Sequence, residues 1–231
     1  MNIKNIKKRI RAAEKKYGRK PNSVILLAVS KSQHIDKLKT AISEGQTCFG
    51  ENYVQEALIK MSALRNYALE WHFIGSIQTN KIPVIAAHFG WVHSVSKLKT
   101  AEKLNKYRIP ELPPLNICIQ VNVSMEESKN GISLVDLSKF ATEISNFKRL
   151  RLRGVMAIPA YNLDFCAQKF NFEKIKNAQQ KLIKQGLSLD TLSMGMTHDF
   201  QAAIAAGSTM VRIGTGIFGS RDNLQQKFFY F

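Results

Sequence analysis

Lys31 closes the run Val24-Ile25-Leu26-Leu27-Ala28-Val29-Ser30-Lys31. An amine held against an apolar wall binds its proton less tightly, and the free amine attacks carbonyl carbons. The plainer alternative is a strand-end lysine that leaves the core for water. Two other stretches carry matching chemistry: Met194-Gly195-Met196-Thr197 and Gly214-Thr215-Gly216. Glycines let the backbone approach a phosphate, helix N-termini present unpaired N–H donors, and Thr197 and Thr215 add hydroxyls. Arg212 lies one residue from the second turn. It is either a structural or outward-reaching strand residue, or a cation beside a bound ring.

Several rival chemistries find no support. Gly214-Thr215-Gly216-Ile217-Phe218-Gly219 matches G-x-G-x-x-G. The dinucleotide fingerprint also needs a second strand and an acidic residue about 20 positions on, and the segment after Gly219 is too short for either. His34, His72, His88, His93 and His198 form no ligand pair with carboxylates at helical or strand spacing, so no metal site is expected. No nucleophile elbow or thiol–histidine pattern occurs, and Cys48 reads as a core thiol.

The elements that position these residues follow from periodicity. Ile3, Ile6, Ile10 and Ala13 recur at helical spacing, predicting a leading helix over 2–17. The continuous apolar run before Lys31 is too short for a typical helix and reads as a buried strand. Further strands are expected at 47–49, 70–74, 91–95, 115–123, 152–158, 189–193 and 209–213, with 124–131 a polar loop. Helices are expected between them, at 35–44, to about 64, 78–87, 97–107, 134–147, 165–185 and 199–206, with a last short one from Gly216. Strands alternating with helices pair in parallel through right-handed crossovers. Eight such units in 231 residues predict a single-domain (β/α)8 TIM barrel with an extra N-terminal helix. A doubly wound open sheet is the alternative. Barrel sites lie at the C-terminal ends of the strands, often with phosphate after strands seven and eight. In a closed barrel strand eight neighbours strand one, so Lys31 and both glycine turns would share one mouth.

Composition bounds the setting. No apolar run approaches the roughly 20 residues needed to span a bilayer, and the basic N-terminus lacks a signal-peptide core. Cys48, Cys118 and Cys166 are odd in number and widely spaced, which reads as reduced thiols in a cytoplasmic protein. The excess of 34 basic over 17 acidic residues gives a net charge of +17, which favours anionic ligands. The basic residues are spread along the chain and form no nucleic-acid-binding motif, so nucleic acid is not the expected partner.

An amine and a phosphate cradle across one mouth point to pyridoxal 5′-phosphate, which offers an aldehyde to the first and a phosphate to the second. Arg212 is placed to face the ring nitrogen. Two cationic donors cannot face each other, so that nitrogen would stay unprotonated and the ring would be a weak electron sink.

With these residues in view, the chain resembles the pyridoxal phosphate homeostasis protein family from its leading helix to about Arg221-Asp222. The motifs are Leu27-Ala28-Val29-Ser30-Lys31, Phe49-Gly50-Glu51-Asn52-Tyr53-Val54-Gln55-Glu56, and His72-Phe73-Ile74-Gly75 with Gln78, Asn80 and Lys81. Next come Ser128-Lys129-Asn130-Gly131, Arg153-Gly154-Val155-Met156-Ala157-Ile158-Pro159, Ser193-Met194-Gly195-Met196, and Val211-Arg212-Ile213-Gly214-Thr215 with Ile217-Phe218-Gly219. The resemblance implies a barrel like the N-terminal domain of bacterial alanine racemase, with Lys31 carrying the cofactor as an aldimine and Arg212 facing the pyridine nitrogen. It also implies that Ser193, Thr197, Gly214 and Thr215 surround the phosphate and that Asn52 and Met156 line the ring.

Family members look like carriers or regulators of the cofactor pool without established catalysis. The expectation is therefore a monomeric cytoplasmic protein that binds pyridoxal 5′-phosphate, touches pyridoxal-phosphate-dependent apo-enzymes transiently, and is not an enzyme. Alanine racemase has a second, β-rich domain that supplies an opposing tyrosine base, and no counterpart is expected here. The alternatives are a pyridoxal-phosphate-dependent racemase or lyase and a basic nucleic-acid-binding protein. Three positions depart from the family pattern: Ser76 for proline, Thr197 for serine, and Gly216 for alanine. His198 beside Asp199 would add a titrating charge near the phosphate. The aromatic tail Phe228-Phe229-Tyr230-Phe231 lies beyond the match and is open to docking or self-association.

Overall fold

The computed structural model describes residues 2–123 and 130–219. The Ser128-Lys129 part of one motif, most of the expected loop at 124–131, Arg221-Asp222 and the aromatic tail lie outside the described residues.

Eight parallel strands close into a barrel in the order β1 to β8: Ile25–Val29, Cys48–Glu51, Glu70–Phe73, Trp91–Val95, Leu115–Val121, Leu150–Ala157, Thr191–Ser193 and Met210–Ile213. The open-sheet alternative is excluded by the pairing of β1 with β8, which sets Leu27 beside Arg212 and Ala28 beside Ile213. The helices are α1 Ile3–Lys16, α2 Ile35–Ser43, α3 Val54–Ala63, α4 Ile82–His88, α5 Leu98–Tyr107, α6 Leu137–Ser145, α7 Phe165–Lys184, α8 Phe200–Ala206 and α9 Thr215–Phe218.

Ile3, Ile6, Ile10 and Ala13 form the buried stripe of α1, which packs on α8 and α9. The Asn2 amide donates to the Ile217 carbonyl at 3.2 Å, tying the start of the chain to the last helix. The main core lies between strands and helices, as the continuous apolar strands require. A smaller cluster of Trp91, Cys118 and Met156 stands apart from it.

Two boundaries differ from the sequence expectation in ways that matter. Strand β2 runs on through Gly50 and Glu51, because full pairing with β3 outweighs the weak strand preference of both residues. The helix expected from Gln78 begins instead as a 3-10 turn, Thr79–Lys81, with Pro83 in the first turn of α4, where its missing N–H costs nothing.

Candidate functional site

Lys31 stands two residues past the end of β1, half-buried, at the C-terminal mouth of the barrel. Its neighbour Ser32 has φ 58°, in the left-handed region that non-glycine residues seldom occupy. A buried triad holds this turn. Glu51, Glu56 and Lys60 are all nearly inaccessible to solvent. Lys60 Nζ donates to Glu51 Oε1 at 2.7 Å, to Glu56 Oε1 at 2.6 Å and to the Ser30 carbonyl at 2.6 Å. Ser30 Oγ donates to Glu51 Oε1 at 2.6 Å, and the Ser32 amide donates to Glu56 Oε1 at 2.6 Å. Both residues flanking Lys31 are therefore fixed by carboxylates that one ammonium neutralises only in part. Burial, opposed by Lys60, pushes the Glu51 carboxyl up to about 7, and Glu56 adds to the rise. Glu51 Oε2 has no hydrogen-bond partner among the described residues, which leaves it as the seat for that proton.

The two glycine turns meet across the mouth. Thr197 and Thr215 join through their hydroxyls at 3.1 Å, and the Gly216 amide donates to Thr197 Oγ1 at 3.2 Å. Gly195 has φ 98°, and a Cβ there would lie 2.6 Å from that of Ala203, so only glycine fits. Gly214 precedes α9 and passes close to β1: a Cβ there would stand 3.3 Å from the Val29 carbonyl oxygen. The departures Thr197 and Gly216 are coupled. A Cβ at 216 would lie 3.1 Å from the Thr197 methyl carbon and 3.0 Å from that of Ile213. The extra methyl at 197 thus takes part of the space an alanine would need. Gly216→Ala is expected to cost about 0.5–1 kcal/mol less in a Thr197→Ser background than in the parent, as read by a double-mutant cycle of urea unfolding.

Arg212 points into the barrel, neither outward nor into an ion pair among the described residues. Nη1 donates to the Ser193 carbonyl and, at 2.8 Å, to Ser193 Oγ; Nη2 donates to the Ala157 carbonyl at 2.9 Å. Burial lowers its pKa to about 10, still cationic at neutral pH. Met156 pairs with Ser193 across β6 and β7 and is buried with Trp91 and Cys118. Burial pushes the Cys118 thiol up to about 12, an inert thiol. Asn52 follows β2, with Gly75 pressed so closely on its backbone that a Cβ there would fall 2.2 Å from the Asn52 carbonyl oxygen. Its buried Oδ1 has no partner among the described residues. Asn52, Ser76, Gln78 and Lys81 line a neighbouring cavity of ≈ 250 Å³.

Below Arg212 runs a column of hydrogen bonds that sequence reasoning missed. Ser193 Oγ lies 2.8 Å from His93 Nδ1, His93 Nε2 lies 2.9 Å from His72 Nδ1, and His72 Nε2 lies 3.1 Å from Glu70 Oε2. Burial lowers both histidines, His93 further because His72 and Arg212 also oppose its charge, so both are neutral. The hydrogen bond from His72 holds Glu70 down at about 2. A carboxylate only accepts, so each neutral ring carries its proton on Nε2 and every donor points toward Glu70. The column links the mouth to the N-terminal end of the barrel. It also corrects one expectation: Glu70 and His72 are a carboxylate–histidine pair at strand spacing. The buried Ser193 hydroxyl is engaged by both Arg212 and His93.

Residues 1–222 match the family model of the alanine racemase N-terminal domain. Over 225 residues the chain is 48% identical to the pyridoxal phosphate homeostasis protein of Vibrio alginolyticus, covering 96% of this chain and 97% of that protein. The chain belongs to the pyridoxal phosphate homeostasis protein family. Among solved structures of such relatives, PipY of Synechococcus elongatus with PLP bound superposes with a TM-score of 0.81 at 33% identity, covering 91% of this chain and 100% of that one. Alanine racemase from Corynebacterium glutamicum shares the fold, with a TM-score of 0.67 at 15% identity over 93% of this chain and 60% of its own.

Within this family frame, the residues read from the sequence separate into groups. Thr197 and Thr215 meet directly and Gly214 passes beside Val29, two residues before Lys31, while Ser193 joins Arg212 by a hydrogen bond and Met156 by strand pairing. Two signals could have found the rest. Glu56 and Lys60 are an i,i+4 pair that also lies on the apolar face of α3 with Val54 and Ala57. His72 and His93 each sit inside a strand that is otherwise apolar or aromatic.

Proposed function

We propose that this chain binds pyridoxal 5′-phosphate at the barrel mouth, attached to Lys31, and acts in cofactor homeostasis as a carrier without turnover. One observation carries the reading. The β1–β8 pairing brings the strand end that precedes Lys31 beside Gly214 and the Thr197–Thr215 hydroxyl pair, with Arg212 buried on the same β8, and this supports a shared opening for the amine, the hydroxyls and the guanidinium. The residues fit the group: the orphaned Asn52 Oδ1 offers an acceptor, and the threonines with the Gly214–Gly216 backbone offer donors for a phosphate. When bound, this cofactor supplies an aldehyde that combines reversibly with an amine and releases water.

The chain's residues divide the work. Lys31 provides the attaching amine, and the Glu51–Lys60–Glu56 triad fixes the turn that aims it. Thr197, Gly214 and Thr215 hold the phosphate, while Asn52 and Met156 flank the ring. Arg212 faces the ring nitrogen as a donor, which disfavours a proton there and supports carriage over catalysis. Ser193 acts through Arg212. The fold works as one cofactor-binding barrel and belongs in the cytoplasm, where PLP-dependent apo-enzymes are the natural recipients.

The test is a visible spectrum of the full-length protein with pyridoxal 5′-phosphate, before and after borohydride, followed by peptide mapping. The expected result is a band lost on reduction and a pyridoxyl group on the Lys31 peptide. No band at saturating cofactor, or label spread evenly over the many lysines, overturns the reading. Amino-acid turnover that depends on Lys31 would overturn its non-catalytic part.

A further inference from the structure

Three donors of different chemistry converge at the end of the barrel opposite the mouth. Cys48 opens β2, Glu70 opens β3, and the two residues pair directly in the sheet. His72 follows two positions after Glu70 and so lies on the same face of the strand. Glu70 Oε2 is 3.1 Å from His72 Nε2 and 3.6 Å from Cys48 Sγ. One ligand atom from each residue falls within 4.8 Å of the other two.

We propose that Cys48, Glu70 and His72 form a binding site for a divalent metal of borderline softness, zinc by preference, with water in the fourth position. Sulfur, imidazole nitrogen and carboxylate oxygen together make a donor set that zinc takes in tetrahedral geometry. Bonds of about 2.0–2.3 Å place tetrahedral donors about 3.3–3.8 Å apart, near the separations already present.

The atoms turned away from the metal are tied down. Trp91 Nε1 donates to Glu70 Oε1 at 2.8 Å, and His72 Nδ1 is engaged by His93. His72 is fully buried and stacked on Trp91, with ring centroids 5.2 Å apart and planes 11° from parallel. Outer contacts of this kind fix the orientation of metal ligands. Glu70 is about half exposed, at 47%, so the ion has an entry path. The charges of a thiolate and a carboxylate balance a divalent ion. Arg153, which lies over the Trp91 ring at 4.7 Å, is already paired with Asp190.

Binding rearranges protons in a defined way. Cys48 releases its thiol proton, and the His72 Nε2 proton leaves to solvent. His72 then carries a proton on Nδ1 and donates to His93. The reversal passes through His93 to Ser193, so one proton enters at the mouth for the one that leaves at His72.

The experiment uses tag-free, full-length protein without pyridoxal 5′-phosphate, titrated with cobalt(II) and then with zinc against a chromophoric chelator. The expected result is one cobalt per chain with a thiolate-to-cobalt charge-transfer band, displaced by zinc. Cys48→Ser, a near-isosteric change at a half-buried position, should abolish the band. It should weaken zinc binding by more than the about 10–100-fold that loss of an outer contact costs. Glu70→Gln, at the exposed ligand, should weaken zinc with the fold intact by circular dichroism. Absence of the band in the parent overturns the proposal. So does a band that survives in folded Cys48→Ser, because the thiolate would then come from Cys118 or Cys166.

Discussion

Replacing Lys31 by alanine is expected to remove the borohydride-trapped attachment of pyridoxal 5′-phosphate proposed at this residue, from stoichiometric to background, while the barrel stays folded. The turn that presents Lys31 is held by contacts of the residues on either side of it. The Ser30 amide donates to the Gly50 carbonyl at 3.0 Å, Ser30 Oγ holds Glu51, the Ser32 amide holds Glu56, and the Gln33 amide returns to the Ser30 carbonyl at 3.1 Å. All of these survive truncation at 31, so the turn and the barrel should stay folded. Thr197, Gly214, Thr215 and Arg212 are also retained, leaving a weaker, reversible binding of the phosphate ester. Lys31→Arg is the sharper control, because it keeps the charge and lacks the nucleophilic amine. Mass spectrometry of reduced samples decides the matter. A trapped adduct at unchanged stoichiometry in folded Lys31→Ala would show that another lysine is the anchor.

The largest effect on stability is expected at Lys60. Lys60→Met fills similar volume but leaves Glu51 and Glu56 facing each other in the core, where an unpaired buried charge costs about 3–5 kcal/mol. Urea unfolding measures this directly. A loss below about 1 kcal/mol, the scale of an exposed ion pair, would mean that the triad does not hold the turn.

The pH dependence supplies an independent check in the parent. Glu51 has a folded pKa raised to about 7 from an ordinary 4.5, so the folded state holds a proton that the unfolded state gives up. The stabilisation linked to that proton is fully present below about pH 4.5 and is lost as pH rises through about 7. Glu51→Gln carries no such proton and should flatten this slope between about pH 4.5 and about pH 7. The Lys31 turn is built on the same triad, so the turn should loosen over the same interval.

Local sequence determined a good deal of this protein. An apolar run too short for a helix and ending in Lys31, helical stripes such as Ile3–Ile6–Ile10, and strict strand–helix alternation were enough for eight strand–helix units, and the β1–β8 pairing decided for the barrel over an open sheet. The barrel in turn placed the Lys31 and Gly214 stretches together, because a closed sheet makes its first and last strands neighbours. These are short-range signals, carried by side-chain period and chain connectivity. What only the tertiary structure decided depends on partners far apart in the chain. Arg212 by its strand position alone could reach outward or face a bound ring, and the Ala157 carbonyl and Ser193 accept from it inside the barrel. Glu56 and Lys60 are an i,i+4 pair that nothing in the local sequence ties to Glu51. They are buried because β2 extends to Glu51 and α3 packs over it, so a third charge completes the set. His72 and His93 sit on different strands, and nothing local joins their rings. Strand register and barrel closure bring them to 2.9 Å. The methyl of Thr197 and the missing one at Gly216 looked independent until two turns met at the mouth. Periodicity reports which face of an element is buried, whereas the partner that satisfies a buried polar group is fixed by which elements pack together.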